Sequence, residues 1–136
     1  MHKNSYILRG AGIIYYNLVN NNTEILCVKG KQSGKWGLPK GSLKKKETLK
    51  QCAIREMQEE TNIKITKVQI NSSESISFGN HIYFIIYGNQ FTNIKTNDIN
   101  EIEEIQWMTE NDIDNLKKKF KNIGLRKLSK FLKKNM

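Results

Sequence analysis

The sequence is short of several things, and each shortage removes a class of protein. Its single proline, Pro39, leaves no proline-rich linker, and no internal repeat or interdomain boundary is visible. No stretch approaches the roughly 18 consecutive apolar residues that a membrane-spanning helix needs. The N-terminal MHKNSYILRG lacks the positive-then-apolar layout of a secretory leader. Cys27 and Cys52 show no metal-ligand spacing; one sits in an apolar run and the other in a helical one. They read as buried free thiols of a reducing compartment. The expectation is a soluble, cytoplasmic protein with no membrane partner, whose 136 residues form a single domain over 1–136.

Acid is the other scarcity. The chain carries 13 Asp+Glu against 23 Lys+Arg, for a formal net charge of +10. Such a surplus suits polyanionic partners, whether nucleic acid, nucleotides or phosphorylated small molecules. Lys, Asn and Ile are abundant together, however, as in the products of AT-biased genomes, so charge alone decides nothing. What stands out is where the few acids go. Glu56, Glu59 and Glu60 crowd into REMQEETN, residues 55–62.

The surrounding pattern is mostly strand. YILRGAGIIYYNL (6–18) is β-branched and aromatic, with glycines at 10 and 12 that mark a bulge or a close approach. A turn at 20–23 leads to a second strand, 24–28, and Trp36 to Leu38 forms a short extended piece ended by Pro39, Gly41 and Ser42. Residues 47–61 read as a helix with Leu49, Ala53 and Met57 on one stripe. Further strands are expected over 64–70, 74–78, 81–87 and 103–108, with Gly79-Asn80 as a hairpin turn. Thr109 is placed to cap a helix over 112–120, which 122–124 breaks. A basic helix follows, with Leu125, Leu128 and Leu132 inward and Lys127, Lys130, Lys133 and Lys134 outward. The class is α+β, or an αβα sandwich.

On a helix turning about 100° per residue, Glu56, Glu59 and Glu60 share one face beside the apolar stripe. They therefore belong at the edge of the core. Like charges at these spacings repel, so something cationic must neutralise them, either a lysine or a divalent metal. Oxygen-only ligands with solvent access suit Mg²⁺ or Mn²⁺. Ahead of the helix, WGLPKGS (36–42) is a tight loop whose glycines allow close approach to a ligand and whose carbonyls can reach a metal. Lys40 can meet a phosphate as a point charge. Glu47 either pairs with Arg55, if the loop folds back, or simply sits at the positive end of the helix dipole.

Gly41, Glu47, Arg55, Glu56, Met57, Glu59, Glu60 and Ile63 together resemble the Nudix box, G-x5-E-x7-R-E-U-x-E-E-x-G-U with U aliphatic. Each fixed position matches except the last Gly, which is Asn62. Asn tolerates the left-handed conformation a helix end demands better than any residue but Gly. The resemblance implies a Nudix fold, a mixed β-sheet in an αβα sandwich ending in the basic helix, and hydrolysis of a nucleoside diphosphate linked to another group. It also implies that Glu56, Glu59 and Glu60 hold the Mg²⁺ or Mn²⁺, with the Lys40 carbonyl as a further ligand. Gly41, Glu47 and Arg55 would be structural supports. A late glutamate supplies another ligand or a general base in the family; of Glu101, Glu103 and Glu104, Glu101 best resembles the family spacing.

The substrate is not written in the box. ILCVKG, KWGLPKGSLKKKET and CAIREMQEET resemble the catalytic domain of mRNA-decapping enzymes, and the basic helix bearing Lys127, Lys130 and Lys133 is similar to their RNA-binding helix. That likeness implies capped RNA. The Lys-Gly pattern is shared with dinucleoside tetraphosphate hydrolases, so a small-nucleotide substrate (a dinucleoside polyphosphate, a modified dNTP or a diphosphoinositol phosphate) stands as the alternative. A non-catalytic nucleotide- or RNA-binding module is the third reading. Lys44 and Lys45 suit phosphate capture or a solvated loop. Trp36, Tyr15, Tyr16, Tyr83 and Phe84 suit base stacking, although strand aromatics more often lie in a core.

Overall fold

Gly10 and Gly12 decide what can approach the first strand, β1 (Gly10–Val19). A side chain at Gly10 would collide with the Gly41 carbonyl, and one at Gly12 with the Pro39 carbonyl. Their absence lets β4 (Lys40–Ser42) pair with β1 in the register Gly10↔Ser42 and Gly12↔Lys40. The computed structural model describes residues 7–134 except 91. The expected strand start at Tyr6 and the outward Lys134 side chain lie outside the described residues.

β1 turns into β2 (Asn22–Gly30) through Asn20 and Asn21, whose φ of 50° and 67° give the two left-handed residues a twisted hairpin turn prefers. β3 is the pair Trp36–Gly37; β5 (Glu74–Phe78) and β6 (His81–Tyr87) form a second hairpin around Gly79, at φ 64°. β7 runs Ile102–Thr109. The sheet order is β3-β2-β1-β6-β5, with β4 also on β1 and β7 on β2. Only the β1–β6 pairing is parallel among the ladders of the described residues, so the sheet is mixed.

Alternation along β1 sorts the core into two layers. Ala11, Ile13 and Tyr15 pack against Cys52, Ala53 and Met57 of helix α1 (Leu49–Thr61). Ile14 faces the other way, with Ile113 of α3 (Glu110–Asn115) and Leu125 and Leu128 of α4 (Ile123–Lys134). This is the αβα sandwich that the box resemblance implied. Met57 is fully buried, a contribution of about 2 kcal/mol that pins the acid-bearing helix to the sheet. Among the described residues no helix is long and apolar enough to cross a membrane.

Three expected elements differ. The strand over 64–70 is replaced by a short helix, α2 (Lys67–Asn71), because Thr66 and Gln69 form a capping box that outweighs the β-branched run before it. The helix expected over 112–120 stops at Leu116, which is extended at ψ 135°, and a 3₁₀ turn over Lys118–Phe120 follows. The break expected at 122–124 is instead a helix start: Asn122 Oδ1 accepts from Leu125 N at 2.9 Å. Gly124 is small because Tyr83 lies against it, where a Cβ would stand 2.7 Å from the phenol oxygen.

Candidate functional site

Helix α1 starts at Leu49 and not at Glu47, because Thr48 and Gln51 close a capping box across its first turn. Glu47 is left on the loop, where Lys44 N donates to its Oε1 at 3.0 Å. The loop thereby folds back and presents Glu47 to Arg55. Arg55 Nε and Nη2 meet its two oxygens at 2.7 and 2.9 Å, a bidentate pair. Nη1 reaches Glu56 Oε2 at 2.8 Å and Glu59 at 3.4 Å, while Nη2 also donates to the Ser42 carbonyl at 3.0 Å. One guanidinium thus joins the end of β4, the loop after it and two of the three box acids. The hydrogen bonds from Arg55 hold the Glu47 carboxyl far down, at about 2.

The three acids are not equivalent. Glu56 and Glu60 are buried, at 9% and 4% exposure, whereas the Glu59 side chain is 41% exposed and lines a separate groove with Arg55, Lys67 and Asn97. Burial, followed by the hydrogen bond and charge of Glu56, pushes the Glu60 carboxyl well above the usual carboxylate range. The two groups have to share a proton or a cation. Gly41 makes the space for them, since a Cβ there would collide with the Glu56 carboxylate. Among the described residues no three His, Cys, Asp or Glu side chains are already arranged to hold a metal ion. The buried pair nevertheless fits a divalent ion: it is oxygen-only, charge-deficient and opens toward solvent beside Lys40.

Glu60 lines a cavity of about 360 Å³ together with Lys31, Lys35, Lys40, Glu101 and Asn122. Glu101 is brought there by a turn in which Asp98 Oδ1 accepts from Glu101 N at 3.2 Å, and Lys31 N bonds the Glu101 carbonyl at 2.8 Å. The charge of Asp98, then burial, a hydrogen bond to Asp98 and the charges of Glu56 and Glu59 raise the Glu101 carboxyl. Glu103 and Glu104 are elsewhere, at 3.2 and 3.7 Å from Lys29 Nζ. A second groove of about 560 Å³ shares Lys35, Lys40 and Asn122 with the cavity and continues past His81 to Lys127. Its lining contains no carboxylate. Burial and the neighbouring Lys40 charge both lower the His81 pKa.

The remaining sequence candidates divide. Trp36 is 8% exposed and packs with Ile14, Cys27 and Leu38, which corrects its assignment as a substrate contact: its ring is part of the core. Tyr15, Tyr83 and Phe84 are core as well. Lys44 and Lys45 are exposed on the β4–α1 loop and do not line the cavity. Lys130 is exposed, and Lys133 lies 3.5 Å from Asp114, which lines a different pocket. Sequence reasoning missed Asn122, which bounds both cavity and groove. Its signal was an Asn three residues ahead of Leu125, a cap position read as a breaker.

Asn62 ends α1 in the left-handed region, at φ 64° and ψ 13°. Its side chain does more than glycine can. Nδ2 donates to the Asn93 carbonyl at 2.8 Å, and Oδ1 accepts from Asn97 Nδ2 at 3.1 Å. Asn97 N and Lys95 N then take the Glu59 and Thr61 carbonyls at 2.8 and 3.2 Å, satisfying groups a helix end leaves open.

A family sequence model described as NUDIX domain matches residues 8–130. The m7GpppN-mRNA hydrolase of Saccharomyces cerevisiae is 34% identical over 110 residues, covering 78% of this chain and 11% of the yeast protein. The mRNA decapping complex subunit 2 of Schizosaccharomyces pombe is 36% identical over 101 residues, covering 70% of this chain and 14% of that protein. The chain therefore spans only a small part of the length of these curated relatives. Among solved structures, a C. elegans Ap4A hydrolase binary complex superposes with a TM-score of 0.65 at 24% identity, covering 94% of this chain and 99% of that one.

Proposed function

The chain belongs to the Nudix hydrolase family, and from that premise we propose that it is a metal-dependent decapping-like enzyme. It cleaves the anhydride between a nucleoside diphosphate and the 5′ end of capped RNA. The observation that carries the RNA reading is the acid-free groove leading from Glu60 past Lys35 and Lys40 to Lys127. An RNA body needs a cationic path out of the cavity, because phosphate contacts supply most of its affinity. The decapping names of the 34–36% identical relatives support the same substrate.

Glu56, Glu59 and Glu60, with the Lys40 carbonyl, are the residues that would hold Mg²⁺ or Mn²⁺. When bound, such an ion supplies Lewis acidity toward a phosphoryl oxygen and acidifies water. The chain does the rest. Arg55 keeps Glu56 in one orientation, and the Glu47 pair keeps Arg55 in place. Lys40, between cavity and groove, takes phosphate charge. Glu101 accepts the proton of the attacking water as its oxygen bonds to phosphorus and the anhydride P–O bond breaks. The departing RNA leaves with a 5′-phosphate.

A small-nucleotide substrate is the second reading. It is favoured by the cavity, whose 360 Å³ is at the small end for a ligand site. Product analysis across capped RNA, diadenosine polyphosphates, dNTPs and diphosphoinositol phosphates, with Mg²⁺ and with Mn²⁺, separates the two. The expected outcome is a nucleoside diphosphate and 5′-monophosphate RNA released from capped RNA at the highest kcat/KM. Turnover of a small nucleotide with capped RNA untouched would replace the first reading by the second.

A further inference from the structure

Between α3 and α4 the chain reads Lys117-Lys118-Lys119-Phe120-Lys121. Lys117, Lys118 and Lys119 are exposed, and among the described residues none of the segment's four lysines forms an ion pair. Phe120 is 43% exposed and Ile123 60%. The helical stripe of the sequence would have buried the phenylalanine; the helix ends early and turns it outward. Lys119 Nζ lies 5.2 Å from the centroid of its ring.

The segment is held in place by its backbone. Phe120 N bonds the Lys117 carbonyl at 2.8 Å, and Lys121 N the Lys118 carbonyl at 3.2 Å. Lys121 bridges to Trp36, and Asn122 N donates to the Trp36 carbonyl at 2.9 Å. An exposed aromatic ring on an ordered turn costs little entropy to use. Asn122, two residues on, bounds both the cavity and the cationic groove.

We propose that Lys117 to Lys121 forms a stacking platform for an unpaired base of the RNA body just outside the cavity. Phe120 offers its ring face to the base, and Lys118 and Lys119 meet the flanking phosphates. The chemistry is that of sequence-tolerant single-strand binding, an aromatic face beside mobile cations. This assignment rests on the capped-RNA reading and adds to it a site outside the cavity. An anionic membrane would also attract lysines around an aromatic ring. Continuity with the cavity through Asn122, which bounds it, favours a ligand that enters the cavity as well.

The test compares a capped 30-nucleotide RNA with a cap dinucleotide, using Phe120→Ala, Phe120→Trp and Lys118→Ala/Lys119→Ala. Phe120→Ala should raise KM for the long RNA about tenfold, with kcat unchanged and the dinucleotide unaffected. Phe120→Trp should restore it, which a mere packing role would not predict. The double lysine variant should flatten the salt dependence of RNA binding by a slope of about 1.4, two single-strand phosphate contacts. Equal effects on both substrates, or none, overturn the platform. So does loss of flotation with phosphatidylserine vesicles while the RNA KM stays constant, which assigns the segment to membranes. If the wild type cleaves no capped RNA, the functional reading fails by itself. The platform is then judged by anisotropy with an uncapped 30-mer, which Phe120→Ala must weaken about tenfold or the platform falls too.

Discussion

The acidic and the basic walls of the site, the α1 face and the groove that continues from the cavity, are built in opposite ways. On the α1 wall the charges are sunk and tied: Glu56 and Glu60 are buried, and Arg55 holds Glu47, Glu56 and Glu59 with one guanidinium. On the groove wall, Lys35 and Lys40, shared with the cavity, and Lys127 farther along form no ion pair among the described residues, and Lys127 is exposed. Buried, mutually bonded charges have fixed positions and are poorly screened, which suits work at a reacting atom. Exposed lysines are mobile and screened within about 8–10 Å at physiological salt. That suits capture of a long anion whose exact path varies. Chemistry on one side and reach on the other is what the contrast teaches.

The largest effect is expected on the tied wall. Glu60→Gln keeps size and hydrogen-bonding capacity but removes a carboxylate. Metal-dependent turnover should fall at least about a hundredfold, since even residues that only support a metal ligand cost ten- to a hundredfold. The melting temperature should hold, because the Gln amide can donate to Glu56 where the Glu60 carboxyl would need a shared proton. An unchanged rate would remove Glu60 from the metal set and put the whole contrast in doubt.

Glu47→Gln tests the tie itself. Losing the bidentate pair with Arg55 should cost about 2 kcal/mol of stability, a drop of roughly 6–8 °C in melting temperature. The Glu47 carboxyl is held at about 2 against an ordinary 4.5. A depressed carboxylate stabilises the fold above its unfolded value and loses that contribution as pH falls through its folded value. The gap between wild type and variant should therefore be full above pH 4.5 and close as pH falls toward 2. Melting curves from pH 7 to pH 2 measure it. A gap that persists undiminished at pH 2 would mean that shape and not charge holds the loop.

The same contrast separates what could be read from the sequence. The acid wall was legible because its spacing is local: seven residues between Glu47 and Arg55, and helical offsets among Glu56, Glu59 and Glu60, leave few ways to arrange them. The strands 74–78 and 81–87 were legible for a similar reason, since the two-residue Gly79-Asn80 turn ties one run to the other. Asn62 was readable as a left-handed helix end, yet its bonds to Asn93 and Asn97 were not, since they depend on where a loop 31 and 35 residues away returns. The basic wall assembles residues from the β2–β3 loop, β4, β6 and α4, and no local pattern announces such a meeting. Thr66 to Gln69 failed differently: a four-residue capping box overruled the β-branched propensity of the run before it.

The smallest effect belongs to the open wall, and its form matters more than its size. Lys127→Ala removes one exposed cation from the groove. At low salt, capped RNA should bind about threefold more weakly, and the slope of log affinity against log salt should drop by about 0.7, one single-strand phosphate contact. Near 0.5 M salt the two proteins should be indistinguishable, because the Debye length has shrunk to about 4 Å. The kcat at saturating RNA should not move, in contrast to Glu60→Gln, whose loss should be the same at every salt concentration. A Lys127 effect that survives high salt would mean that this lysine is fixed against the substrate as the α1 acids are fixed to one another, and the two walls would differ in sign of charge alone.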